Sequence, residues 1–173
     1  FSKFDLKGQN IHDELQKIST ANIKNTPGKT TDTQMLNDDG GIETDVTVAC
    51  IDKNYFRIVS SAATRERDKF HILKYLSEDV KFIDVTEEIC CLGLFGPKSR
   101  EMIQKISDED YSPENFQFGS GKNVLIENIK VWAQRISYVG ELGFELYVDK
   151  ENALKLYKIL IEEGKNFDLS HCG

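Results

Sequence analysis

The chain has 173 residues, 39% hydrophobic and 29% charged, which suits one globular domain or a domain and part of another. A net charge of −7 with interspersed signs argues against a nucleic-acid backbone as partner. No apolar run approaches the roughly 18 residues a membrane helix needs, no signal peptide is recognisable, and a first residue of Phe rather than Met points to a fragment or a processed start.

Residues 2–8 place Phe4 and Leu6 in alternation before Gly8 and read as a short strand, and residues 9–19 carry Ile11, Leu15 and Ile18 at helical spacing. A turn at 25–28 holds Pro27, and a strand over 30–36 runs into Asn37-Asp38-Asp39-Gly40-Gly41, residues that tolerate positive φ and so predict a hairpin turn. The chain then alternates. Ile42, Thr44, Val46 and Val48 fall on one side, and Glu43, Asp45, Thr47 and Ala49 on the other, so 44–51 is the return strand. Asp45 sits mid-strand among β-branched neighbours, where a carboxylate is poorly favoured unless exposed or partnered. It marks either a strand with one wet face or a carboxylate held rigidly towards a ligand. After a turn at 52–54, residues 55–60 complete an antiparallel meander.

The pattern becomes helical over 62–76, with Phe70, Ile72, Leu73 and Leu76 apolar and Arg65, Arg67 and Lys69 polar. His71 lies in this helix with no second ligand nearby in sequence and reads as structural rather than catalytic. Strands follow at 80–85 and 89–95. The four cysteines show no metal spacing, and Cys90-Cys91 in an apolar strand favours reduced core thiols, in a bacterial cytoplasm or a mitochondrial matrix. Gly96-Pro97-Lys98-Ser99-Arg100 starts a helix that continues through Met102, Ile103 and Ile106. Residues 108–121 are polar and read as a loop, 124–129 and 130–137 as strands, 140–143 as a turn and 144–148 as a strand. A helix over 150–163 turns Ala153, Leu156, Ile159 and Leu160 inward, with Gly164 as its cap. The order β-α-β-β-β-α-β-β-α-β-β-β-α describes an α+β fold of antiparallel sheets with packed helices, not a doubly wound one.

A second unusual stretch is Arg135-Ile136-Ser137-Tyr138-Val139-Gly140-Glu141-Leu142-Gly143-Phe144-Glu145-Leu146-Tyr147-Val148. Alternation puts Glu145 on one face with Gly143 and Tyr147, opposite Phe144 and Leu146. A carboxylate with small and aromatic neighbours suits a planar ligand, since its two oxygens can accept from an amino group and an adjacent ring N–H. A solvated hairpin glutamate would show the same local pattern.

Met35-Leu36-Asn37 through Gly40-Gly41 to Asp45, then Gly96-Pro97, then Tyr138-Val139-Gly140-Glu141-Leu142-Gly143-Phe144-Glu145 appear in an order that resembles the folate-binding region of the aminomethyltransferase (glycine-cleavage T-protein) family. The resemblance covers nearly the whole chain. In Gly96-Pro97-Lys98-Ser99-Arg100 and Tyr138 to Gly143 it is closest to the folate-binding portion of dimethylglycine and sarcosine dehydrogenases. It implies that residues 1–173 are one folate-binding domain of a longer chain, a tetrahydrofolate-dependent one-carbon transfer module inactive by itself. Its partners would be folate and a small amine-derived one-carbon donor, with no nucleic acid and no membrane.

By the same resemblance Asp45 matches the catalytic aspartate, Glu145 the carboxylate that grips the pterin, and Tyr138 a ligand-lining tyrosine. Ser61 stands where T-proteins carry a cofactor-site asparagine, and Asp32 where the family usually carries a tyrosine. Asp45 and Glu145 are expected at opposite ends of one cleft, and the family's folate-contacting arginine falls beyond Gly173. No nucleotide-binding glycine-rich loop appears, so FAD would require an upstream domain in the full-length protein. No metal is called for. The alternatives are a non-catalytic folate-sensing or regulatory member of the superfamily and a scaffold domain without ligand.

Overall fold

The computed structural model describes residues 1–172. The chain divides into two compact units, Phe1–Glu87 and Glu88–Gly173.

The first unit is built on a five-stranded sheet of order β2-β3-β4-β1-β5. Its strands are β1 (Ser2–Lys7), β2 (Thr30–Leu36), β3 (Ile42–Asp52), β4 (Tyr55–Ser60) and β5 (Lys81–Asp84), with α1 (Ile11–Ile18) and α2 (Arg65–Tyr75) between them. Every pairing is antiparallel. Period-2 alternation sends Phe4, Leu6, Val46, Val48, Phe56 and Ile58 into one core, where they meet Ile11, Leu15 and Ile18 of α1. Full burial of such side chains contributes about 1.5–3 kcal/mol each. The opposite face carries a buried ion pair: Arg57 Nε lies 2.7 Å from Asp5 Oδ1 and Nη2 lies 2.9 Å from Oδ2. The Tyr55 hydroxyl also donates to Asp5, so the carboxylate is fully engaged.

The second unit has a four-stranded antiparallel sheet of order β6-β9-β8-β7. Its strands are β6 (Ile89–Phe95), β7 (Ser120–Ile126), β8 (Ile129–Arg135) and β9 (Gly143–Asp149), with α3 (Ser99–Lys105) and α4 (Lys150–Gly164). Leu94, Val131, Ala133, Phe144, Leu146 and Val148 form the core face and pack with Met102 and Ile103 of α3 and Leu156 and Leu160 of α4. Among the described residues no helix is long and apolar enough to cross a membrane.

The element order is the one expected, and several local expectations are corrected. On α2 only Ile72 of the apolar set is buried; Phe70 is 75% exposed, and Asp68 and His71 turn inward instead. Asp68 is held there by the Thr64 hydroxyl at 2.6 Å, and the His71 ring meets Tyr75 edge-on. The polar segment after α3 is a loop, yet it buries Tyr111 and Phe116, whose rings cluster with Phe144. β7 begins at Ser120, earlier than expected, and turns into β8 through Glu127-Asn128. Glu127 takes a left-handed φ of 50° without glycine's usual signal for such a turn.

Gly164 does not cap α4; its φ is −57° and a 3₁₀ turn, Lys165–Phe167, continues from it. The left-handed residue is Asp168, and the Leu169 N–H closes back on the Gly164 carbonyl at 3.0 Å. Gly164 is required for another reason: a Cβ there would lie 2.4 Å from Leu169 Cδ2.

Candidate functional site

Asp45 is positioned by the β2–β3 hairpin. The Asn37 side-chain oxygen accepts from the Asp39 and Gly41 N–H groups at 3.1 and 2.8 Å, and Gly40 supplies a φ of 79°. From α2, Lys74 and the Tyr75 hydroxyl bind Asp38 at 2.8 and 2.7 Å. The Lys74 bond, then Tyr75, hold the Asp38 carboxyl below the usual carboxylate range. Beyond this turn Asp45 is exposed, with Thr44 and Val46 buried on the other face. Its cross-strand partner Gln34 donates from Nε2 to Asp45 Oδ1 at 3.0 Å. One carboxylate oxygen is thus tethered, which aims the other without neutralising it.

Ser61 follows β4 directly, and its Oγ accepts from Ala63 N at 3.3 Å to start a 3₁₀ turn. The β3–β4 register, carried past the Thr47–Val59 pair, sets Ser61 level with Asp45. Asp32 is exposed on the same face and accepts from the Thr47 hydroxyl at 2.8 Å. The first unit therefore groups Gln34, Asp45, Thr47 and Asp32 into a polar strip, with Ser61 at its border.

Glu145 has a different setting. It is only 6% exposed, on the face of the second sheet opposite the core. Register places Gly93, Glu145, Gln134 and Gly121 in one row across the four strands, and Cys91, Tyr147, Trp132 and Asn123 in the next. The Tyr147 hydroxyl donates to Glu145 Oε2 at 2.6 Å. Burial pushes the Tyr147 phenol well above its ordinary pKa, reinforced by Cys91 and Glu145, so it stays a neutral donor. Trp132 Nε1 donates to Gln134 Oε1 at 3.3 Å, which leaves the buried Gln134 Nε2 without a partner.

The glycines of this face make room for rings. A Cβ on Gly121 would lie 2.7 Å from Trp132 Cζ2, and one on Gly93 would lie 2.5 Å from Phe95 Cε2. The rings of Trp132 and Phe95 therefore press against bare backbone of β7 and of β6, in the cross-strand row that holds Glu145. The arrangement offers carboxylate and amide hydrogen bonding between flat apolar walls, suited to a planar heterocycle.

Tyr138 lies on the β8–β9 connection and is 78% exposed. Sequence reasoning recognised Glu145 and its neighbour Tyr147, and missed Gln134 and Trp132. The signal available was parity: both precede the Arg135 to Val148 stretch with the period-2 spacing of one strand face. Gln34 was missed because its position opposite Asp45 depends on the hairpin register. Among the described residues no group of three or more His, Cys, Asp or Glu is gathered to hold a metal.

Comparisons with known proteins bear on the family and the fold. The sequence family described as "GCVT N-terminal domain" matches residues 1–173. The 4-methylaminobutanoate oxidase (formaldehyde-forming) of Paenarthrobacter nicotinovorans is 32% identical over 100% of the chain, which corresponds to 21% of that protein. Mitochondrial dimethylglycine dehydrogenase of Homo sapiens is also 32% identical over 100% of the chain, which corresponds to 20% of the enzyme. The chain thus spans about a fifth of the length of these relatives. Among solved structures, the glycine cleavage system aminomethyltransferase T of Bartonella henselae superposes with a TM-score of 0.80 at 18% identity, covering 92% of this chain and 43% of that one, a likeness of fold.

Proposed function

Because the chain belongs to the GCVT N-terminal domain family, we propose that it is the tetrahydrofolate-dependent one-carbon transfer module of an aminomethyltransferase or a dimethylglycine/sarcosine dehydrogenase-type enzyme. Its relatives are enzymes. The observation that carries the reading is Glu145, a carboxylate buried on a rigid strand beside an amide and aromatic rings. Residues 1–173 are assigned to a single folate-binding domain comprising the two compact units.

The residues fit the cofactor on chemical grounds. Glu145 is acceptor-only when ionised, which matches the adjacent amino and N–H donors of a pterin edge. Gln134 Nε2 is a buried donor awaiting an acceptor, and a pterin presents acceptors beside those donors. Glu145 would hold the heterocycle, with Tyr147 fixing its carboxylate orientation. Tyr138 and Ser61 would line the ligand. Tetrahydrofolate, when bound, supplies the nitrogens that accept the one-carbon unit. Asp45, tethered through one oxygen by Gln34, would orient a ligand N–H, stabilise nearby positive charge and move a proton through its other oxygen. An FAD requirement would belong to another domain of the complete protein.

The test is done in the complete protein. Glu145→Gln puts a donor where the pterin also donates, and folate affinity measured by calorimetry should fall about tenfold to a hundredfold, the cost of about 1–3 kcal/mol for a mismatched buried contact. Asp45→Asn keeps shape and loses charge, so folate affinity should be spared more while single-turnover transfer slows by about 10²–10⁴. Transfer at the wild-type rate in Asp45→Asn would make Asp45 an ordinary wet-face strand carboxylate.

A further inference from the structure

Resting on the folate reading above, we propose that Ser99 is a positioning residue for the ligand site: through the Leu142 carbonyl it holds the β8–β9 connection that carries Tyr138. The Leu142 oxygen accepts twice, from the Gly96 N–H at 2.7 Å and from the Ser99 hydroxyl at 3.2 Å. Ser99 is itself buried, at the first position of α3. The two stretches that stood out in the sequence, Gly96 to Arg100 and Tyr138 to Glu145, are thereby joined at one backbone atom.

The place of that atom gives the contact its consequence. Pairing between β8 and β9 ends, among the described residues, at the Gln134–Glu145 rung, so the connection springs from the row that holds Glu145. Where the connection comes back into the sheet, β9 is held by β6 up to the Phe95–Gly143 pair. The fit is close there: a Cβ on Gly143 would meet the Phe95 ring and lie 2.7 Å from the Leu94 carbonyl oxygen. The turn that delivers Ser99 is equally defined, since Gly96 takes a left-handed φ of 126° and its carbonyl accepts from the Ser99 N–H at 3.1 Å.

Within the connection, Tyr138 and Val139 are 78% and 58% exposed. Segments so exposed open at low free-energy cost. A ligand that needs the closed arrangement binds in proportion to the fraction of molecules that hold it. A buried hydroxyl bond at the base of the connection raises that fraction without touching the ligand.

The experiment uses the complete protein. Ser99→Ala keeps the Gly96 bond and removes the second one. Backbone amides of residues 138–142 should then exchange with deuterium about threefold to tenfold faster, the worth of one net hydrogen bond, and tetrahydrofolate affinity measured by calorimetry should fall by a similar factor. In a Tyr138→Ala background the same substitution should change affinity by less than about twofold, because the side chain it positions is gone. Unchanged affinity in Ser99→Ala, or equal losses with and without Tyr138, overturns the proposal. Glu145→Gln separates it from the reading on which it rests. A loss of affinity there with none in Ser99→Ala overturns the positioning role alone, and no loss in Glu145→Gln overturns both.

Discussion

At the residue scale, the molecule handles its carboxylates in two ways. Asp45 stays in water with one polar tether, whereas Asp5 is buried and matched by Arg57 and Tyr55. Substitution should separate them. Asp45→Asn removes no buried interaction, so its unfolding free energy in urea should change by no more than about 0.5 kcal/mol. Arg57→Met strands a buried carboxylate and should cost about 3–5 kcal/mol. Adding Asp5→Asn should recover part of that loss, because the uncompensated charge disappears with it. A functional defect of Asp45→Asn would then be readable as chemistry rather than as unfolding.

At the element scale, the second sheet depends on glycines that leave space for rings. Gly121→Ala would bring a methyl within 2.7 Å of the Trp132 ring, which must lift off the strand. The expected outcome is a loss of about 1–3 kcal/mol in stability, the usual cost of overpacking, together with an altered tryptophan emission spectrum. The end of β5 makes a different prediction. Burial works to raise the Asp84 pKa, but hydrogen bonds from Thr86 and Arg65 outweigh it and leave the group below its ordinary 3.8. A depressed carboxylate contributes stability above its unfolded pKa and loses it as pH falls through the folded value. Asp84→Asn should therefore flatten the acid limb of the stability profile below about pH 4, measured by denaturation across pH, and leave its slope near neutrality unchanged.

At the scale of the whole molecule, two hydrophobic clusters share no residue, one around Phe4, Phe56 and Ile58 and the other around Ile103, Val131 and Phe144. Ile58→Val and Ile103→Val should each destabilise by about 0.5–1.5 kcal/mol. The double variant should show the sum within about 0.5 kcal/mol, since the two clusters have no residue in common. Urea unfolding of the three variants checks this, and a marked departure from additivity would mean the two cores are energetically coupled.

Local periodicity alone determined the element order, the bounds of β2, β4 and β6, the hairpin turn at Asn37 to Gly41 and the outward parity of Asp45. These follow from side-chain alternation and turn chemistry, which act over a few residues. The ordered motifs likewise marked the family before any contact was known. Only the tertiary structure decided which face of α2 goes inward, where Asp68 and His71 displace Phe70, because helix propensity does not say what a helix meets. Burial of Tyr111 and Phe116 from a polar loop, and transfer of the left-handed cap from Gly164 to Asp168, depend in the same way on what packs against them. The setting of Glu145 lay furthest from the sequence. Glu145 gains Gln134 only through cross-strand register. Such neighbours are selected by cooperative burial and hydrogen bonding between distant segments, a quantity no local window contains.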